Sequence, residues 1–485
     1  MSEAFLPGSM PRLIQAGMGI RVSGFRLARE TSRLGALGVV SAVALRHVVI
    51  EEVRAGDPEA IAVARTFPVP RYVEELLAFA PGGEWQYRSV PLDMVDPVKG
   101  ALPRRLSVIA AYVEVMRAKR GHAGKVGINV MWKCPLTVLP SIYGAFLAGV
   151  DALLCGAGVP MELPEMLGRM QAGENLHYEA LHGTGTPVHL EIADDGTADL
   201  LRERLRPKLL PILSNFAFPK RIMDIWEREQ QGVRPFAFVL ENHAAGGHNA
   251  PPRNKTEFGE QDNVEAYFDK VVALGVPVYV AGAFANGGTV EDYHYWRDRG
   301  AYGIQVGSRF ALCDESDMRR DIKDAIIQGN SGTAERLSTS LRVSPTGYPF
   351  KVLSLPGTVA DPVIYARRRR RCDKGYLLQA RKKILADGKE QEVYICPAMP
   401  ARQFERLVGD PAETEGRLCL CNGLLATVGF GNGSEPPLVT LGLSGNQVFE
   451  AQSARTIIEE ILSPGYVAVA ECCLRRTDDC VLVKE

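Results

Sequence analysis

The chain has 485 residues, 46% apolar and 23% charged, with a net charge of −1. That is the balance of a soluble globular protein, long enough for one large domain and a smaller one. Balanced charge without a long basic face excludes a general nucleic-acid binder, and no run approaches the roughly 18–20 apolar residues of a membrane span.

The first residues, "MSEAFLPGSMPRLIQAG", lack the basic start and apolar core of a secretory signal. A cytoplasmic setting is therefore predicted, in which ten scattered cysteines need no disulfide framework.

Short apolar runs recur along the chain, most followed by glycine and then by a helical pattern. They are "RLIQAG" (12–17), "GALGVVSA" (35–42), "KVGINVMW" (125–132), "DALLCGAG" (151–158), "KLLPILSN" (208–215), "PFAFVLEN" (235–242), "PVYVAGAF" (277–284) and "YGIQVGSR" (302–309). The runs are continuous rather than alternating, as strands buried on both faces should be. Helices are predicted over 24–35, 139–150, 218–232, 263–275 and 289–300. Eight strand–helix units predict an α/β fold, a (β/α)8 TIM barrel over residues 1–325, with a doubly wound open sheet as the alternative.

Two insertions interrupt the repeat. Residues 46–122 carry helices of their own. Residues 160–207 carry a further helix and "PVHLEIADDGTADLL", read as a hairpin turning at Asp194–Gly196. Such additions are expected to sit above the barrel and shape its pocket. After about residue 325 the rhythm stops, and 326–485 reads as a mixed, cysteine-containing appendage. The five arginines of "ARRRRRC" (366–372) read as a solvated face or a wrap over acidic neighbours.

Chemistry in a parallel barrel gathers where strand C-termini meet their loops. "VAGAFANGG" (280–288) and "QVGSRF" (305–310) place small residues after the last two strands, where backbone N–H groups make a phosphate site. "QAGMGI" (15–20) offers a backbone against which a planar cofactor could lie. Asn129 ends the third strand with a donor and an acceptor. "ENHAAGGHNAPPRN" (241–254) sets a glycine pair beside His248 directly after a strand, which favours a functional role for that histidine. His243 reads as structural and Lys133 as a surface lysine. Cys372, Cys396, Cys419 and Cys421 are candidate metal ligands, with small buried thiols the competing reading. Cys472, Cys473 and Cys480 are given no role.

"PRLIQAGMGIRVSGFRLARETSRLGALGVVSA", "GINVM", "AAGGHNAPPR" and "GAYGIQVGSRFALC" resemble the FMN-dependent nitronate monooxygenases, in order from about residue 10 to 320. The tail motifs "RRCDKGYL", "CPAMP" and "RLCLCNGLLATVG" resemble those of longer bacterial members. The resemblance implies oxidation of alkyl nitronates or nitroalkanes by dioxygen to a carbonyl compound and nitrite. The same superfamily implies an NAD(P)H-dependent FMN enoyl reductase as the alternative, and a flavin-binding subunit as a non-enzymatic one.

Carried over by position, the backbone of Ala16, Gly17 and Met18 would face the flavin ring, and Asn129 would bind the ring or ribityl chain. Gly246 and Gly247 would line the ribityl–phosphate channel. Gly282, Ala283, Gly307 and Ser308 would hold the phosphate. His248 would be the catalytic residue, as base or as binder of the substrate anion. Ala283 replaces a usual glycine, and Ser308 a usual threonine. The expected partners are a small-molecule substrate and dioxygen, with no nucleic acid, no membrane and a possible homodimer.

Overall fold

The computed structural model describes residues 6–475, apart from residue 7 and segments 81–98, 183–184, 230–231, 330–332, 409, 432, 434 and 443–448. Cys480 lies outside the described residues.

Eight parallel strands close into a barrel: β1 (Leu13–Gln15), β2 (Leu37–Ser41), β3 (Val126–Met131), β4 (Ala152–Gly156), β5 (Lys208–Leu213), β6 (Phe238–Glu241), β7 (Val278–Ala281) and β8 (Gly303–Val306). Each falls inside one of the eight runs read from the sequence. Closure is made by β8 pairing with β1 in the register Ile14↔Gln305. The open-sheet alternative is thereby excluded.

The strand composition follows from this closure. Neighbouring residues point alternately to the barrel interior and to the helix layer. Ile14, Val39, Leu154 and Tyr279 fill the interior, while Leu13, Val40, Leu153 and Val280 join the outer core. Both faces are apolar, so the runs are continuous.

The helices Phe25–Arg33, Pro135–Leu147, Ala217–Glu229 and Val290–Asp298 match four expectations to within a few residues. The fifth is shorter: 263–275 forms a 3-10 turn and the five-residue helix Phe268–Val272. Helix Ala101–Ala118, read as part of an insertion, packs on Pro135–Leu147 and on β2 and β3 as an outer-layer helix of the barrel.

The expected hairpin within 187–201 is corrected. Val188–Leu190 pairs instead with the earlier strand Leu176–Tyr178, and "ADLLRE" is the helix Ala198–Glu203. The turn between them is fixed by Asp195, whose carboxylate accepts the hydroxyls of Tyr72 (2.8 Å) and Tyr143 (3.1 Å).

Beyond β8 the chain crosses the barrel mouth. Hairpins Leu337–Ser340/Phe350–Leu353 and Gln379–Ile384/Glu390–Ile395 and helix Leu420–Thr427 form a cap. Its Phe350, Tyr376, Leu377 and Leu420 share one apolar core with Ile20, Ala44 and Cys134 of the barrel loops and Val48 of helix Leu45–Arg54. The last helices, Ala454–Leu462 and Pro464–Leu474, return to the barrel flank. There Ile457, Ile458 and Val467 join the outer core, and the Tyr466 hydroxyl donates to Gly35 O. Among the described residues, no helix is long and apolar enough to cross a membrane.

The arginine run serves this cap. Arg368 lies over the Tyr365 ring and forms a buried ion pair with Glu435 at 2.9 Å, while Arg371 meets Asp373 at 3.4 Å. This matches the expected wrap over acidic neighbours.

Candidate active site

A cavity of about 250 Å³ lies between the C-terminal ends of the barrel strands and the cap. Ten of the eleven residues singled out from the sequence line it: Ala16, Gly17, Met18, Asn129, Gly246, Gly247, His248, Gly282, Gly307 and Ser308. Ala283 does not. Its carbonyl accepts Trp296 Nε1 at 2.7 Å, and its side chain packs against the outer core.

The insertions were expected to shape the pocket, but none of their described residues lines it. The far wall comes from the cap, including Phe350, Tyr376, Leu377, Leu420, Leu424 and Leu438–Gly442 except Val439.

The loop after β1 is held from below. The Arg21 guanidinium meets Asp317 (2.7 Å), Glu52 (2.6 Å) and Glu114 (3.3 Å), a buried cation matched by three carboxylates. Within the loop, Ala16 N–H donates to Val306 O and Met18 N–H to Ser23 Oγ. Among the described residues, the Gly17 N–H has no acceptor. Gly17 cannot carry a side chain, because a Cβ would stand 2.3 Å from Asn129 Cβ. The loop and the end of β3 are therefore one fitted surface.

The loop after β6 is a tight structure of its own. Asn242 caps the turn by accepting Ala244 N–H through its side chain and Ala245 N–H through its carbonyl. Gly247 has φ +80°, the left-handed region that favours glycine. The loop then pairs with the cap: Asn249 N–H donates to Pro349 O, Lys351 N–H donates to Gly247 O, and His248 bridges Phe350. Lys351 Nζ donates to His243 O, to Asn249 Oδ1 (3.2 Å) and to Thr339 Oγ1 (2.8 Å). His243 itself stacks on Phe258, in keeping with a structural role.

His248 Nε2 stands 2.7 Å from Ser344 Oγ, with Phe350 edge-on to the ring at 4.8 Å. Burial pushes its pKa down to about 4, so the imidazole is neutral at pH 7. Ser344 is wholly buried and also bonds Thr346 Oγ1 at 2.7 Å.

Glu241, at the end of β6, lines the cavity, and its carboxylate has no hydrogen-bond partner among the described residues. Burial raises its pKa to about 7 against the opposing pull of Lys351, whose own pKa is lowered by burial to about 8. Gln305 Oε1 is likewise buried, on the cavity wall, and unpartnered. Lys133 is half-buried over the Tyr348 ring and does not line the cavity.

The two glycine loops differ from the simple phosphate cup that their sequences suggest. After β7, the Asp292 carboxylate accepts the N–H groups of Ala285, Asn286, Gly288 and Thr289, so these donors are spent within the protein. After β8, Ser308 Oγ donates to Gly442 O (3.0 Å) and accepts Gly442 N–H (2.8 Å). Gly247 N–H donates to Thr440 Oγ1 at 2.8 Å. The segment 438–442 therefore lies directly on the rim.

Residues 221–347 match the family model described as nitronate monooxygenase. The matched segment spans about a quarter of the chain. It holds the His248 loop, the glycine loops after β7 and β8, and Ser344, and it agrees with the family resemblance of the motifs. The match marks the protein as an oxidoreductase.

No curated protein matches the chain. Similar solved structures include FabK from Thermotoga maritima, at 15% identity and TM-score 0.48, covering 95% of this chain and 94% of that one. Nitroalkane oxidase from Streptomyces ansochromogenes is 13% identical with TM-score 0.48, covering 96% and 97%. The barrel assignment itself rests on the strand pairing above.

Sequence reasoning missed Glu241, Gln305, Ser344, Phe350 and Lys351. The first two sit inside quoted strands. A buried carboxylate or amide at a strand's C-terminal end was the available signal.

Proposed function

We propose that the protein oxidises alkyl nitronates, or the nitroalkanes from which they form, with FMN and dioxygen to a carbonyl compound and nitrite. The residues present fit FMN. Among the described residues Gly17 N–H has no acceptor on the first loop, Gln305 Oε1 is a buried acceptor, the half-buried Glu241 carboxylate lines the cavity, and glycines at 247 and 307 leave the backbone open to it. Gly17, Met18 and Asn129 would hold the ring, and Gly246, Gly247 and Glu241 the ribityl chain. Gly282, Gly307 and Ser308 would hold the phosphate, Ser308 by exchanging its bonds to Gly442. FMN, when bound, supplies the electron acceptor.

The observation that carries the reading is His248, half-buried and neutral on the cavity wall. A neutral imidazole can take the α-proton of a nitroalkane, whereas an imidazolium anion-holder would need a higher pKa. Ser344 fixes the ring through Nε2. The apolar wall of Ile20, Val22, Met131, Phe284 and Leu424 suits an alkyl chain and excludes water.

A dinucleotide reductant, by contrast, would bring two more phosphates. No Lys or Arg is among the described lining residues, and the amides after β7 are held by Asp292. This favours the oxidase over the enoyl reductase.

The test is aerobic turnover of propyl nitronate by FMN-loaded protein, following nitrite release and oxygen uptake. Rapid bleaching by NADPH, with no nitrite from nitronates, would overturn the proposal.

A further inference from the structure

The four cysteines noted in the tail are brought together by the cap. Cys372 precedes and Cys396 follows the hairpin whose ladder ends at Gln379↔Ile395. Cys419 and Cys421 stand at the start of helix Leu420–Thr427. All four line one small pocket beneath the cap, together with Asp373 and Lys374. The thiols meet in two hydrogen-bonded pairs, Cys372 with Cys396 and Cys419 with Cys421.

Two further features separate this cluster from ordinary buried thiols. The backbone amide of Gly375 approaches the Cys372 sulfur, and that of Ala398 the Cys396 sulfur. Both approaches arise from the turns "CDKG" (372–375) and "CPAM" (396–399), the second closed by Met399 N–H donating to Cys396 O at 2.9 Å. Buried Lys374 is attracted to Cys421 and supplies positive charge beside the group.

The hairpin also needs an anchor, because its strands are largely exposed and Ile384 is 63% exposed. Lobes with so little core are commonly held by metal or disulfide staples.

We propose that Cys372, Cys396, Cys419 and Cys421 form a structural zinc site that fastens the hairpin to helix Leu420–Thr427. Zinc favours four thiolates in a closed tetrahedron. As they stand, no three or more His, Cys, Asp or Glu side chains among the described residues are placed to hold a metal ion. The two thiol pairs must therefore draw together around the ion, with Zn²⁺ and four thiols giving a tetrathiolate of charge −2 and four released protons. Cys421 lines both this pocket and the active-site cavity, so the staple sets the position of a cavity wall.

The test uses the full-length chain purified without chelators. Elemental analysis should find one zinc per chain, and exchange for Co²⁺ should give intense thiolate-to-cobalt charge-transfer bands with tetrahedral visible bands. The double substitutions Cys372→Ser/Cys396→Ser and Cys419→Ser/Cys421→Ser should each abolish the zinc. Because these variants could fail to fold, the cobalt spectrum of the unaltered chain stands as the independent measurement. Metal-free protein that binds Co²⁺ without charge-transfer bands would overturn the proposal. So would a mass showing either pair oxidised to a disulfide, or iron accompanied by acid-labile sulfide.

Discussion

The barrel rim and the cap face each other across one cavity but are built from different materials. The rim presents backbone: glycines at 17, 246, 247, 282 and 307, each placed by the end of a barrel strand. The cap presents side chains on short elements: Ser344 to His248, Lys351 to the His243 carbonyl, Thr440 to Gly247, and an apolar cover from Phe350 to Leu438. Rigid strands can aim amides at a ligand, while a cover can vary its side chains to fit a substrate. The proposed catalytic geometry depends on both, since the hydrogen-bond partner of His248 belongs to the cap.

The sharpest way to separate the two regions is His248→Asn. If the rim histidine is the base, turnover of neutral nitroalkane should fall about 10²-fold or more, the scale of general-base catalysis. Preformed nitronate, which needs no proton removed, should lose much less, and the FMN spectrum should remain. Equal losses on both substrates would make His248 a binding residue instead.

Lys351→Met tests the reverse dependence of rim on cap. The substitution preserves length but strands the His243 carbonyl, Asn249 Oδ1 and Thr339 Oγ1, all acceptors of the buried ammonium. A loss of about 2–3 kcal/mol in urea unfolding is expected, since each buried acceptor left unpaired costs about 1–3 kcal/mol and relaxation recovers part. Glu241, relieved of a nearby cation, should titrate above its present value of about 7. A wild-type melting curve would show that the cap does not hold the loop.

Gly246→Ala acts on the seam itself, because a Cβ would stand 2.7 Å from Gly442 N and 2.8 Å from Leu441 C. Both are backbone atoms, so the rim and the segment 438–442 must part. Overpacking of this kind costs about 1–3 kcal/mol, and thermal melts with and without added FMN would measure it.

The two regions also differ in how far the sequence discloses them. β-branched runs ending in glycine reveal the rim, because burial on both faces and close backbone approach each demand particular residue types. Ala283 failed that reading because the chain turns its carbonyl to Trp296 rather than to the cavity. The cap left no comparable trace. "SPTGYPFKVLSLPG" reads as turns, yet it delivers Ser344, Phe350 and Lys351 to the loop 241–249 by contacts about a hundred residues apart in sequence. No local periodicity encodes such a pairing. It also explains why none of the insertions' described residues lines the pocket: they are nearer in sequence to the strands, but the cap is what crosses the mouth.

The smallest predicted effect separates burial from hydrogen bonding at His248. Desolvation lowers its pKa to about 4. Between that value and the ordinary value of about 6.5, the unfolded chain binds the proton and the folded chain does not. Stability from this group is therefore present above about 6.5 and is lost as pH falls towards 4. Activity with nitroalkane should be flat in its histidine dependence through neutral pH and decline only as pH falls through about 4.

Ser344→Ala removes the hydroxyl 2.7 Å from Nε2 but leaves the surrounding wall in place. kcat should fall a few-fold, roughly 1 kcal/mol for one lost neutral hydrogen bond, while the acid limb stays near its original position. If the limb instead moved towards 6.5, the cap's hydroxyl rather than burial in the rim would be what keeps the histidine neutral. The division of labour between the two regions would then have to be redrawn.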